Sequence, residues 1–249
     1  LYAPLLSKGA KYVNSSRRGA ELIKYASNAF LATKITFINE LANLSEKIGV
    51  NIEDISIGMG LDKRIGGRFL RAGPAYGGSC FPKDTRAIVD TAKEFKTDLS
   101  IIENVIKSNE NRSKILLNRV SKLLKNKIKN KRITFLGVTF KANTDDMRES
   151  SSLVMIPSLI SKGAKIKYYD PSGYKKDFDK FKNVSFSENI KSACIDADMI
   201  IIHTEWNDFK ALNFKKLSSK KNVIVYDMRN ILSPDKMKKD KINYFGIGR

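Results

Sequence analysis

The residues with the greatest chemical potential lie in the stretch GPAYGGSCFPKDTRAI, Gly73 to Ile88, around Cys80, one of two cysteines among 249 residues. Gly77, Gly78 and Ser79 lead into it, and Phe81, Pro82, Lys83 and Asp84 follow. Glycines let a backbone come close to a ligand, and proline is favoured in the first turn of a helix, which DTRAIVDTAKEF would continue. Cys80 is therefore expected just before a helix N-terminus with Lys83 beside it, and both neighbours favour a thiolate. Two readings stand on the residues alone. Cys80 is a small buried hydrophobe, the common fate of a free cysteine, or it is a nucleophile, which the polar approach and exit suit better than a packed interior.

A second set lies in FLGVTFKANTDDMRESSS, Phe135 to Ser152, which begins as a buried strand, becomes a polar loop and ends in a serine-rich helix start. Ligands of open parallel sheets bind at the carboxyl ends of strands, so Lys141 and Arg148 could hold phosphates there. Equally, Asp145, Asp146 and Glu149 could neutralise both cations. The third set is Lys24 and Asn28, four apart and so on one helix face, able to converge on one oxygen as an oxyanion site or to stay solvated. His203, the single histidine, sits in ADMIIIHTEW and reads as a strand-end residue. Neither Cys80 nor Cys194 has a metal ligand at short spacing, so no metal site is expected.

The elements that would position these groups divide the chain. From Glu21 to Ile48 there is no Pro or Gly, and apolar residues recur at spacings of three and four, which predicts one long helix ended by Gly49. Such a helix is a candidate spine or dimer interface. Two further helices are predicted over Asp84–Phe95 and Ser100–Leu124. From Arg132 onward the texture changes to RITFLGVTF, AKIKYYD, ADMIIIHT, NVIVYDM and INYFGIG, which predicts a parallel sheet with crossover helices. The division is therefore a helical domain over 1–124 that carries the Cys80 loop, a linker KNKIKNK over 125–131, and an α/β domain over 132–249. No GxGxxG lies between a strand and a helix: IGMGLD is an isolated GxG after a helix, and FGIGR has no helix to open.

The net charge of +20 calls for anionic partners without choosing among them. The lysines lie among Asn, Asp and Ser without aromatic platforms, so nucleic acid is not expected. The chain opens LYAPLLSKGA with no Met, no signal-like segment and no apolar run long enough to span a membrane; it is expected to be cytoplasmic and the later part of a longer protein.

In this order, the Lys24/Asn28 helix, GGSCFPKD and the FK-x-NTDD-x-RES loop closely resemble the nucleotide-sugar dehydrogenases of the UDP-glucose/GDP-mannose dehydrogenase family. The resemblance implies a central helical dimerisation domain followed by a Rossmann-like, parallel-sheet domain that binds the UDP-sugar. The family's N-terminal NAD-binding Rossmann domain has no counterpart in this sequence. It implies oxidation of a sugar C6 alcohol to a carboxylate with two NAD, an activity of polysaccharide biosynthesis. The substrate group nearest to SCFPKD is UDP-glucose; GDP-mannose and UDP-N-acetylhexosamine are the alternatives, as is a non-catalytic nucleotide-sugar-binding and dimerisation role. Carried over by motif, Cys80 is the nucleophile, Asp84 orients or activates water, and Lys24 with Asn28 steadies an oxyanion. Phe81, Phe140, Lys141, Arg229, Tyr76 and Gly77 match substrate-contacting positions, and Arg148 matches one that reaches the cofactor. Arg64 matches an arginine given across a homodimer to the neighbour's substrate, with the long helix as the dimer spine.

Overall fold

The computed structural model describes residues 2–249. After a short helix α1 (Ala3–Leu6), the chain forms the long helix α2 (Arg17–Ile48), 32 residues or about 48 Å at 1.5 Å per residue. It begins four residues earlier than the apolar pattern predicts, because the Ser16 hydroxyl accepts a hydrogen bond from the Gly19 N–H and caps the helix N-terminus. It ends where expected, at Gly49, with φ of 74°. Helix α3 (Ile52–Leu61) was not foreseen, and the GxG of IGMGLD falls inside it. Gly60 serves packing, since a Cβ there would lie 2.8 Å from the Gly67 Cα, whereas Gly58 faces open space. Helices α4 (Phe81–Glu94) and α5 (Ser100–Leu123) follow, α4 starting three residues before the predicted Asp84 with Pro82 in its first turn.

The second half is one six-stranded sheet: β1 (Arg132–Leu136), β2 (Lys165–Tyr169), β3 (Val184–Phe186), β4 (Met199–Ile202), β5 (Ile224–Asp227) and β6 (Asn243–Gly246). Every pairing is parallel and the order is β3-β2-β1-β4-β5-β6. This is the doubly wound order whose reversal point lies between β1 and β4. Five of the strands coincide with the predicted segments. The sixth, β3, is three residues long in a polar setting and too short to leave a period-two signal. Helices α6 (Ser152–Ser161), α7 (Ile190–Cys194), α8 (Phe214–Leu217) and α9 (Pro234–Lys239) connect the strands.

Successive strand residues point to opposite faces, and the core divides accordingly. Ile133, Phe135, Met199, Ile201 and Tyr226 face a cluster shared with Ile38, Ala42 and Ile52 of the helical half and Leu116, Leu117 and Val120 of α5. Leu136, Ile200, Ile202 and Val225 face a second cluster with Cys194, Phe209 and Phe214. Ile128 in KNKIKNK is buried in the first cluster, so this segment contributes to the core that the two halves share. Past β6 the chain returns to the helices: the Gly248 carbonyl accepts from the Ile52 N–H at 2.8 Å, and Arg119 of α5 donates to the Gly246 carbonyl at 2.8 Å and pairs with Glu46 of α2.

Candidate functional site

Cys80 is exposed and occupies the N-cap of α4, so it is no packed hydrophobe. That description belongs to Cys194, fully buried in the second core, whose thiol is pushed up to about 12 by desolvation. One helical turn on, the Asp84 N–H donates to the Cys80 carbonyl at 2.8 Å, which sets Asp84 on the same face below the cysteine. The Asp84 side chain is fully buried; Lys24 Nζ and Asn28 Nδ2 of α2 both donate to its Oδ2 at 2.6 Å, and Lys83 Nζ lies 3.2 Å from Oδ1. Burial pushes this carboxyl up, but the bonds from Lys24, Asn28 and Lys83 together outweigh it and hold the group below its ordinary value. Asp84 in turn raises the Lys24 ammonium. Lys24 and Asn28 thus converge on one oxygen, and in the free protein that oxygen belongs to Asp84.

The glycines before Cys80 lie against the strand-end loop. A Cβ on Gly77 would lie 2.5 Å from the Glu149 carbonyl oxygen, and one on Gly78, whose φ is 78°, would lie 2.7 Å from the Phe140 ring. The Gly78 N–H donates to the Arg148 carbonyl at 2.8 Å, and Arg86 of α4 pairs with Glu149 at 2.9 Å. The close approach that excludes side chains is therefore made by the strand-end loop after β1, which the Cys80 loop lies against. Phe81, at the start of α4, meets the rings of Tyr76 and Phe69 edge-on at 6.2 and 6.1 Å.

In the strand-end loop the two cations have different surroundings. Arg148 donates to Asp146 through Nε at 2.9 Å and Nη2 at 2.8 Å, while Lys141 has no ion-pair partner among the described residues and lies 5.3 Å from the Phe140 ring centre. Arg229, just past β5, is turned inward: it donates to the carbonyls of His203 at 2.8 Å and Phe140 at 2.7 Å and pairs with Glu205 at 3.0 Å. It braces the peptide immediately before Lys141. His203 lies directly after β4, at the strand end as expected, is fully buried, and meets Ser151 Oγ at 2.8 Å; burial lowers its pKa to about 3. Ser151 occupies the N-cap of α6 without a side-chain cap bond. Ser150 and Ser152 donate to the Val138 carbonyl at 2.7 and 2.6 Å and sew the loop to the strand end. Arg64 stands apart from these groups, exposed and paired with Asp62 at 2.6 Å.

Sequence reasoning missed Asn39, Asn109 and Arg112, which hold the backbone before Cys80. Asn109 and Arg112 are three apart and share a helix face, but SNENRSK reads as a solvated polar run. The described residues also provide no seat for a dinucleotide pyrophosphate. The turn after β1 runs into a long loop in place of a helix N-terminus, and a Cβ on Gly137 would lie 2.4 Å from Thr204, a contact within the protein.

A helical half that lays an exposed cysteine loop over the carboxyl edge of a doubly wound parallel sheet defines an α/β architecture. Residues 18–111 match the central domain of the UDP-glucose/GDP-mannose dehydrogenase family, and residues 134–234 match that family's UDP binding domain. The chain belongs to the UDP-glucose/GDP-mannose dehydrogenase family. It is 46% identical over its whole length to a UDP-glucose 6-dehydrogenase of Rickettsia felis and 44% identical to one of Rhizobium meliloti, covering 56% and 57% of those proteins. The chain thus spans little more than half the length of these relatives. A UDP-glucose dehydrogenase from Pyrobaculum islandicum superposes with a TM-score of 0.81 at 33% identity, over 93% of this chain and 51% of that one. An NDP-N-acetyl-D-galactosaminuronic acid dehydrogenase from Methanosarcina mazei superposes at 0.83 with 27% identity, over 94% of this chain and 51% of that one.

Proposed function

We propose that the complete protein oxidises UDP-glucose to UDP-glucuronate with two NAD, and that this chain supplies the sugar-nucleotide platform and the covalent chemistry. The observation that carries the reading is the stack of Cys80 over Asp84, with Lys24 and Asn28 on the Asp84 oxygen. NAD accepts the two hydrides when bound; among the described residues no strand runs through a glycine turn into a helix N-terminus that would seat its pyrophosphate. What the chain does is hold the aldehyde stage. The Cys80 sulfur attacks the C6 aldehyde, a C–S bond forms, and the carbonyl electron pair moves to oxygen as a thiohemiacetal. After the second oxidation the carbon is a thioester. Water then adds, the C–S bond breaks, and the thiolate leaves with the acid formed. Lys24 and Asn28, released from part of their hold on Asp84, donate to the tetrahedral oxyanion, and Asp84 accepts the proton from water. Phe81, Tyr76, Gly77, Phe140, Lys141 and Arg229 surround the sugar nucleotide, with Lys141 free to meet a phosphate, and Arg148 faces the cofactor side.

The same reading includes a homodimer. Ile23, Phe30, Phe37 and Leu44 of α2 are exposed and recur every seventh residue, a stripe fitted to a second copy of the helix. Arg64 is then the arginine offered across that interface. No helix among the described residues is long and apolar enough to cross a membrane.

The test is C80S in the complete protein. NADH production from UDP-glucose is expected to fall by about a thousandfold or more, as for removal of an enzymatic nucleophile. Two full hydride transfers per UDP-glucose at the unaltered rate would remove Cys80 from the role. Running GDP-mannose and UDP-N-acetylglucosamine in parallel decides the sugar.

A further inference from the structure

The strip from Arg71 to Ser79 has no regular secondary structure, yet Leu70, Ala72 and Tyr76 in and beside it are buried. Buried peptide groups need partners, and a strip without a ladder must find them in side chains. Two helices supply them. The Gly73 N–H donates to Asn39 Oδ1 of α2 at 2.8 Å, and the Gly73 carbonyl accepts from Arg112 Nε of α5 at 3.1 Å. At Tyr76 a single side chain serves both peptide groups: the N–H donates to Asn109 Oδ1 at 2.9 Å, and Asn109 Nδ2 donates to the carbonyl at 3.1 Å. The carboxamide of α5 presents to Tyr76 the donor and acceptor that a neighbouring strand would present.

Arg112 makes the arrangement costly. It is 3% exposed, and its partners are the Gly73 carbonyl, the Asn39 carbonyl at 3.1 Å and Asn43 Oδ1 at 2.5 Å, with no carboxylate among them. Desolvation lowers its pKa to about 10, which leaves it a cation at neutral pH. An apolar side chain of similar length would fill this space without the desolvation cost, so packing alone does not account for an arginine. What the guanidinium adds is the fixed angle between three carbonyl oxygens on α2 and the strip.

We propose that Asn109, seconded by Arg112, is a positioning residue that fixes the strip carrying Cys80 by acting as its missing neighbouring strand. Tyr76 is held by its backbone, its ring then meets Phe81, and the two glycines after it are set under Phe140 and Glu149. The catalytic consequence rests on the reading of Cys80 given above, but the geometry does not.

The test therefore reads the strip itself, by amide hydrogen exchange of residues 73–78 corrected for intrinsic rate, in the 249-residue chain without substrate. Asn109→Leu keeps the shape and removes both bonds, so exchange of the strip should rise about tenfold or more at every pH. Asn109→Asp has a built-in reversal. A protonated carboxyl donates and accepts as the amide does, whereas the carboxylate only accepts. This variant should match the parent near pH 4 and exchange at a rate between the parent and Asn109→Leu near pH 8, where the carboxylate still accepts from the Tyr76 N–H but leaves the Tyr76 carbonyl without its donor; the two values roughly bracket a buried carboxyl. Cys194, sealed in the second core, reports integrity by staying unreactive to thiol reagents. Should Asn109→Leu not fold, the two pH values of Asn109→Asp decide alone. Parent-like exchange in Asn109→Leu, or no recovery of Asn109→Asp in acid, overturns the proposal. Failure of the chain to bind UDP-glucose bears on the proposed function and leaves this result standing.

Discussion

Two buried ionisable side chains make the protein's stability depend on pH in separable ways. Asp84 has a folded pKa below its unfolded value of 3.8, so its ionised form adds stability above that value, which is lost as pH falls through the folded pKa. Removing one of its donors by N28A should cost about 1–2 kcal/mol at neutral pH, read by urea unfolding. It should also move the acid limb to higher pH. His203 behaves oppositely in charge and alike in direction: it takes a proton near 6.5 when unfolded and only near 3 when folded. The unfolded state therefore binds more protons between these values, and stability declines as pH falls from 6.5 towards 3. H203Q should flatten that decline by about 3 kcal/mol at about pH 4.5, and a pH series that leaves parent and variant parallel would count against a neutral buried imidazole. At this scale the Cys80 loop was legible because Gly, Pro and Cys have positional chemistry of their own. The work of Arg229, His203 and Ser151 was not, since each is defined by a partner dozens of residues away.

Helices and strands were legible in proportion to their length and to how one-sided their surroundings are. The long helix announced itself by period, and five strands by β-branched runs between turn residues. The short α3 and β3 did not, the first because its glycines imitate a loop and the second because three residues carry no period. The stripe on α2 belongs to this scale. Phe30 and Phe37 are 65% and 48% exposed, so F30E with F37E should leave helix content unchanged while shifting sedimentation from dimer to monomer at micromolar concentration. A parent chain already monomeric there would remove the proposed interface. Lys141 lies in the loop that follows β1: K141A should weaken UDP-glucose binding by about 1.5–3 kcal/mol in calorimetry, the range for bonds to charged groups.

For the molecule as a whole, the change of texture near Lys125–Lys131 was visible in the sequence, but the core that crosses it was not. Long-range contacts such as Ile52 with Gly248 leave no local trace. Because Ile38 and Ala42 share a cluster with Phe135 and Tyr226, urea unfolding followed by far-ultraviolet circular dichroism and by fluorescence of Trp206 should give coincident transitions. Two separated midpoints would show halves that melt independently. The unequal burial of the two cysteines has a practical side in handling. Cys194 is sealed in the core and cannot act as a resolving thiol, so peroxide acting on Cys80 has no route to an internal disulfide. Storage without reductant should therefore consume one thiol equivalent per chain, as sulfenic and higher oxides or as covalently joined pairs, and only the first and last of these forms will return on adding a reducing agent.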